Sequence, residues 1–350
     1  MTDWNGSVPK VSVLMTIYNA ERYLREAIDS VVAQTFGDWE LIAVENGSAD
    51  ASPTILASYA DDRIQTYFLP QNIGRTPALR YAFDHAQGEY IAILDADDVA
   101  LPHRFATQCE FLDDRSEYAA IGSHVHVINS RSKKVSSPIV PSTDRDIQWV
   151  VLFGSPLLHS SVIMRRDIVC ELGGYDATFS YAQDYALWSC FITKGYRMMN
   201  LPDVLTHIRT HDDQTTVRVG KTAVLEEHSI VGQRIIKAQL GMTLSSGAVK
   251  EMYRLVDRFD RLSPDEVSSA LRLFHAIADS YTCHTRKASI CCIRTLLSLG
   301  VLHTGIPFFA RVRFIKKALG LICCTRGGHR IFFIIRAWLR PKLSAFDGNG

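Results

Sequence analysis

The stretch Glu89–Pro102, EYIAILDADDVALP, carries an apolar run, Tyr90–Leu94, straight into three carboxylates, Asp95, Asp97 and Asp98. A short continuous apolar run closed by polar residues reads as a strand buried on both faces. Three similar runs precede it: VSVLMTI (Val11–Ile17), WELIAV (Trp39–Val44) and IQTYFL (Ile64–Leu69). Between them, Glu21–Gln34, Ser52–Ala60 and Thr76–Ala86 space their apolar residues as helices do. The alternation predicts βαβ units and so an α/β fold, a Rossmann-like sheet flanked by helices. Ligands of such sheets bind beyond the carboxyl ends of the strands. Those ends are polar here: Thr16-Ile17-Tyr18-Asn19, Glu45-Asn46-Gly47-Ser48 and Asp95-Ala96-Asp97-Asp98.

Beyond Tyr118 the pattern loosens. A β-rich piece (Ala119–Asn129), a polar loop (Ser130–Thr143) and a strand (Ser161–Met164) come first. A Gly173-Gly174-Tyr175 turn, a helix over Gln183–Thr193 and an extended segment over Leu201–His211 follow. From Lys221 the chain reads as helical, which sets a boundary near residue 218 between domains 1–218 and 219–350.

The 350 residues are 47% hydrophobic and 21% charged, which are globular values. The net charge of +1 hides an asymmetry: from Arg286 onward lie 12 of the 38 Lys/Arg but one of the 37 acids. An acidic body with a basic tail points to an anionic partner for the tail. The N-terminus lacks a basic region followed by an apolar one, so no secretory signal is expected. Eight cysteines, none spaced as CxxC, read as reduced thiols in a cytoplasmic chain.

Two carboxylates one residue apart at a rigid strand tip can hold Mg²⁺ or Mn²⁺, whose remaining positions water and phosphate fill. Alone, the pair reads more readily as a solvated acidic turn. The ordered series IYN, VENGS, NIGRTPALRYA, GEYIAILDADD, HSSVIMRR, GGYD, QDYALW and LTHIRTH is far more specific. Over roughly the first 215 residues it resembles the family-two inverting glycosyltransferases with the GT-A fold, of the bacterial cell-surface polysaccharide type.

That resemblance implies a mixed, largely parallel GT-A sheet and assigns roles. Thr16, Tyr18 and Asn19 match the strand end that contacts the donor nucleotide. Glu45-Asn46 stands where the family usually has two aspartates, so Glu45 keeps an acceptor for a base N–H while Asn46 has lost a charge. Asn72 and Arg80 match the segment that meets the diphosphate. Asp95 and Asp97 match the DxD motif, Asp97 being the direct metal ligand, with His211 completing the metal shell. Asp98 supports the turn or caps the following helix. Asp184 matches the general base; Gln183 replaces the acid before it, and His159 lines the acceptor side. One base and one displacement imply inversion. The implied cofactor is Mn²⁺ or Mg²⁺, and the implied partners are a nucleotide-sugar donor and a glycan or lipid-linked acceptor.

From about 286 to 342 the tail interleaves apolar residues with arginines, as in helices lying in a membrane interface. Arg294, His303, Pro307 and Arg336 interrupt every run before it reaches the roughly 18 apolar residues of a spanning helix. The tail is expected on the anionic inner face of the plasma membrane; the other reading packs it on the catalytic domain. No nucleic-acid module accompanies its charge. A sugar-phosphate nucleotidyltransferase needs a Gly-rich basic loop after the first strand, where this chain has IYNAERYL. A non-catalytic nucleotide-sugar or membrane module is the rival that Glu45-Asn46 and Gln183 support, and Asp95, Asp97 and Asp184 oppose it.

Overall fold

The computed structural model describes residues 8–214, 221–257 and 264–285. The expected domain boundary near 218 and the basic tail lie outside the described residues. The described residues form two compact units, one within Met1–Ile147 and Ser155–Val231, the other within Gln148–Gly154 and Gly232–Gly350.

The first unit is built on four parallel strands, β1 (Val11–Ile17), β2 (Trp39–Asn46), β3 (Ile64–Leu69) and β4 (Tyr90–Ile93). Helices α1 (Leu24–Val32), α2 (Ser52–Ala57) and α3 (Arg75–His85) connect them in turn. After β5 (Val99–Ala100) and α4 (Arg104–Asp114) come β6 (Tyr118–Ile128) and β7 (Lys134–Ser136), then α5 (Asp144–Val150). A 3-10 turn at His159–Ser161, β8 (Ile163–Arg165), α6 (Arg166–Glu171), α7 (Gln183–Thr193) and β9 (Arg197–Arg209) follow. The nine strands share one sheet in the order β3-β2-β1-β4-β8-β6-β9-β5, with β7 on β6. β8 runs antiparallel to both β4 and β6, and β6 runs parallel to β9, so the sheet is mixed.

β1, β2 and β4 are buried almost throughout, as their apolar runs require, whereas β3 at the edge alternates. Val13, Leu41 and Ala92 form the core with Leu24, Ala27, Ile28 and Val31 of α1. Ile17 is level with Glu45, and Leu14 with Ile93. This register brings the polar ends of β1, β2 and β4 together on one edge.

Helix α1 starts later than its apolar spacing predicts because the preceding residues serve a loop. The Asn19 and Ala20 amides donate to Ser48 and Ser52 hydroxyls, each at 2.9 Å, and the Glu21 amide donates to Asp50 at 3.0 Å. In return, Asn19 and Glu21 side chains accept from the Ala49 and Ala51 amides. Asn19 adopts φ 49° to do so. Below the acidic tip, the buried Arg104 donates to the Ile93 and Val162 carbonyls at 3.0 and 3.1 Å. Gln108, one turn on, donates to the Ser161 carbonyl at 2.9 Å. The pair fixes β4 against the 3-10 turn.

The first unit also takes in residues 221–231, the first half of α8 (Lys221–Leu240). The second unit holds the rest of α8, α9 (Ser246–Asp257) and α10 (Pro264–Thr285), packed around Trp149, Phe153, Phe274 and Tyr281.

Candidate active site

The loops after β1 and β2 form one wall. Tyr18 is 46% exposed and Thr16 half-buried. Glu45 is buried, and its carboxylate accepts from the Gly47 and Ser48 amides at 3.2 and 2.7 Å. It therefore closes its own turn, a duty that the expected contact with a base did not foresee. Gly47, at φ 71°, lies where a Cβ would meet the Gln71 carbonyl carbon at 2.4 Å.

Asn46 donates from Nδ2 to Asn72 Oδ1 and to the Gly74 carbonyl, both at 3.2 Å, and accepts from the Ile73 amide at 3.0 Å. An aspartate could make the last of these bonds but not the first two. The departure from the family's second acid thus couples the β2 loop to the start of α3.

Arg75, the first residue of α3, donates to both oxygens of Asp95 at 2.7 Å. Its guanidinium also lies 3.5 Å from His159 Nδ1. His159 Nε2 is 3.0 Å from the Tyr175 hydroxyl. The Asp95 amide donates to Ser160 Oγ at 3.1 Å. His211, just past β9, holds Asp97 Oδ2 at 2.9 Å from Nε2. Its Nδ1 is buried without a hydrogen-bond partner among the described residues. Asp98 faces inward and accepts from the Arg209 amide at 2.8 Å. Oxygens of Asp95, Asp97 and Asp98 all lie within 4.8 Å of one another.

Arg209 locks this turn. Its side chain, almost fully buried, donates to the Asp97 carbonyl at 2.8 Å, the Asn129 carbonyl at 3.2 Å, Ser132 Oγ at 3.0 Å and Glu26 at 2.7 Å. On the far side, Asp184 in the first turn of α7 accepts from Ser155 Oγ at 3.1 Å. Gln183 is buried with its Oε1 unpartnered among the described residues. Trp188, also on α7, is core.

The charges are tightly coupled. Burial pushes Asp95 up, but Arg75, His159 and Ser160 outweigh it and hold the carboxyl below its ordinary range. Burial and the Asp95 charge push Asp97 up against the opposing pull of His211. Burial and both neighbours push Asp98 well up. Burial also lowers His159, against the charges of Asp95 and Asp184, so its imidazole is kept neutral. Arg75 is raised by Asp95 first, with Asp184 and Asp97 adding to it against burial. Excess negative charge at Asp97 and Asp98 is what a cation would relieve.

Asp95, Asp97, His211, His159 and Asp184 are thus brought around one cleft, with Asn72 at the adjoining loop. Arg80 does not join them: it is exposed and donates to the Tyr175 carbonyl at 2.5 Å. Arg75 takes the place in the cleft that the sequence reading gave to Arg80. Arg209, Ser155 and Tyr175 were passed over too; RTH and GGYD contain two of them, but nothing in either motif distinguishes them.

Residues 12–170 match the family described as "Glycosyl transferase family 2". EpsE of Bacillus subtilis (strain 168), a protein with a glycosyltransferase name, is 33% identical over 213 residues, 59% of this chain and 76% of its own. The amylovoran biosynthesis glycosyltransferase AmsE of Erwinia amylovora is 26% identical over 264 residues, 74% of this chain and 97% of its own. The O-antigen biosynthesis glycosyltransferase WbnJ of Escherichia coli is 28% identical over 211 residues, 59% and 81%. Among solved structures, S. aureus TarS 1–349 with UDP-GlcNAc superposes with a TM-score of 0.58 at 15% identity, covering 88% of this chain and 90% of that one. At that identity the likeness is one of fold, and it is the GT-A fold that the sequence predicts.

Proposed function

The chain belongs to glycosyl transferase family 2, and on that footing we propose that it moves a sugar from a nucleoside-diphosphate donor to a glycan acceptor, with inversion and with a divalent cation. One chain of contacts carries the reading: Arg75 bonds Asp95 and lies 3.5 Å from His159, whose ring stands 6.3 Å from that of Trp188 on α7, the helix that bears Asp184.

The donor set fits a hard cation. Asp97 and Asp95 would supply carboxylate oxygens, which lie within 4.8 Å of each other, and His211, beside Asp97, would add an imidazole nitrogen. The carboxylates suit Mg²⁺ or Mn²⁺. When bound, the cation supplies counter-charge to the departing diphosphate.

The chain's own residues do the rest. Thr16, Tyr18, Asn19 and Glu45 border the nucleotide, and Asn72 and Arg75 face the diphosphate from the α3 N-terminus, where helix amides favour anions. Asp184 takes the proton of the acceptor hydroxyl as that oxygen bonds to the anomeric carbon. The bond from that carbon to the phosphate oxygen breaks, its electron pair leaving with the diphosphate. Ser155 orients the Asp184 carboxylate. His159, neutral and bonded to Tyr175, walls the acceptor side beside Gln183.

The names of AmsE and WbnJ support a cell-surface polysaccharide as product. No described helix is long and apolar enough to cross a membrane. The sequence of the basic tail supports docking of the chain on an anionic leaflet, where a lipid-linked acceptor is presented.

The test is a thermal-shift screen against UDP-, GDP-, CMP- and dTDP-sugars with and without Mn²⁺, since a ligand of the folded state raises the melting temperature. A shift that requires metal and is lost in Asp97→Ala is expected. Folded protein that shifts with no donor overturns the reading.

A further inference from the structure

Helix α7 carries the proposed base but begins without a cap of its own. Its N-cap residue is Ala182, which has no side-chain acceptor, and the amides leading into the first turn need partners. They find one far along the chain. Glu227, in the first half of α8, accepts from the Ser180 amide at 2.9 Å on Oε1. Its Oε2 accepts from the Tyr181 and Ala182 amides at 2.7 and 2.9 Å. Three consecutive amides, 45 to 47 residues away, are thus gathered by one carboxylate. A negative charge at this helix end is also favoured by the helix dipole.

The other side of the same loop is tied as firmly. Thr76, next to Arg75 on α3, donates to the Phe179 carbonyl at 2.6 Å. Asp176 closes the loop on itself through the Thr178 amide and hydroxyl, at 3.0 and 2.6 Å. His228, beside Glu227, sets its ring 5.3 Å from that of Tyr185, the residue after Asp184. The loop is strung between α3 and α8, and Gln183-Asp184 hangs from its end.

We propose that Glu227 is a positioning residue for the reaction: by holding the amides of Ser180, Tyr181 and Ala182 it sets where the Asp184 carboxylate stands over the cleft. The proposal rests on Asp184 being the base. Among the described residues the hydrogen bonds of Glu227 all go to these backbone amides, so it acts through the backbone. A shift of about 1 Å in a reacting group costs on the order of 100-fold in rate. An amide at 227 keeps the shape but turns an N–H toward one of the three donors, so Glu227→Gln falls between the native residue and Glu227→Ala.

The experiment uses the full chain and three variants, Glu227→Ala, Glu227→Gln and Asp184→Asn. Nucleoside diphosphate release is followed from whichever nucleotide sugar shifts the melting temperature with Mn²⁺. Amide exchange is followed over residues 180–182. Expected are faster exchange at those amides in Glu227→Ala, an unchanged Mn²⁺-dependent donor shift, and turnover lowered by about 100-fold at constant donor KM, with Glu227→Gln intermediate. Turnover in Glu227→Ala within about threefold of native, with exchange accelerated, overturns the positioning role. If Glu227→Ala does not melt cooperatively, Glu227→Gln decides by the same two readings. Native turnover in Asp184→Asn is a different failure, since it removes the base on which the proposal rests.

Discussion

Arg75 and Asp95 meet through one guanidinium nitrogen that serves both carboxylate oxygens at 2.7 Å, with both side chains close to 30% exposed. The pair joins the first residue of α3 to the acidic turn after β4. Arg75→Leu should cost about 1–2 kcal/mol in urea unfolding, below a fully buried pair because water still screens this one. It should also weaken the donor-induced thermal shift. Arg75→Lys keeps the charge without the planar fork and should recover part of both.

Asp50 gives a pH signature away from the acidic turn. Burial raises it, but hydrogen bonds from Ser52 Oγ and the Glu21 and Ser52 amides outweigh burial and lower its pKa from 3.8. A carboxyl depressed on folding contributes stability above its unfolded pKa and loses it as pH falls through the folded value. Native protein should therefore exceed Asp50→Asn by a few tenths to about 1 kcal/mol at neutral pH. The difference should fade below the ordinary carboxylate range. Paired denaturant titrations across acid pH check it.

Asn46→Asp restores the residue usual in the family yet should harm this chain. It would set carboxylate oxygens against Asn72 Oδ1 and the Gly74 carbonyl in place of an N–H donor. A loss of about 0.5–1.5 kcal/mol is expected, since the two acceptors left facing an acceptor are still partly open to water. Chemical denaturation measures it, and Asn46→Ala distinguishes repulsion from mere loss of the bonds.

Replacing the proposed base should separate binding from chemistry. Asp184→Asn removes the proton acceptor but keeps the shape and the Ser155 contact. Turnover should fall by about 10²–10⁴-fold, the usual contribution of a general base, while the Mn²⁺-dependent donor shift persists. His211→Ala should do the reverse and weaken the Mn²⁺ dependence of that shift, read by titrating the metal at fixed donor.

The central sheet was legible because β1, β2 and β4 are buried on both faces and their apolar runs are unbroken. The acidic tip could be placed because it closes such a run, whereas the roles expected of Asp184 and His211 came from the ordered motif series alone. Arg80 and Arg75 could not be told apart so readily: five positions on one helix are about 140° around it, and only the packed direction of α3 decides which faces the cleft. Glu227 and Arg209 left no trace in the pattern, since both act on backbone groups remote in sequence. Helices α5 and α6, of seven and six residues, are too short for an apolar period to register.

The bonds of Arg209 have one further consequence. Asp97 and His211 are 114 positions apart, yet their separation is set by a guanidinium on the Asp97 carbonyl and by the pairing of Val99–Ala100 with Thr206–His207. Neither contact requires an ion. The freedom of those two segments is surrendered once, when the chain folds, and not again at each catalytic cycle. The acidic turn and the histidine are therefore in place before any ligand arrives, and binding between them has little loop ordering left to overcome.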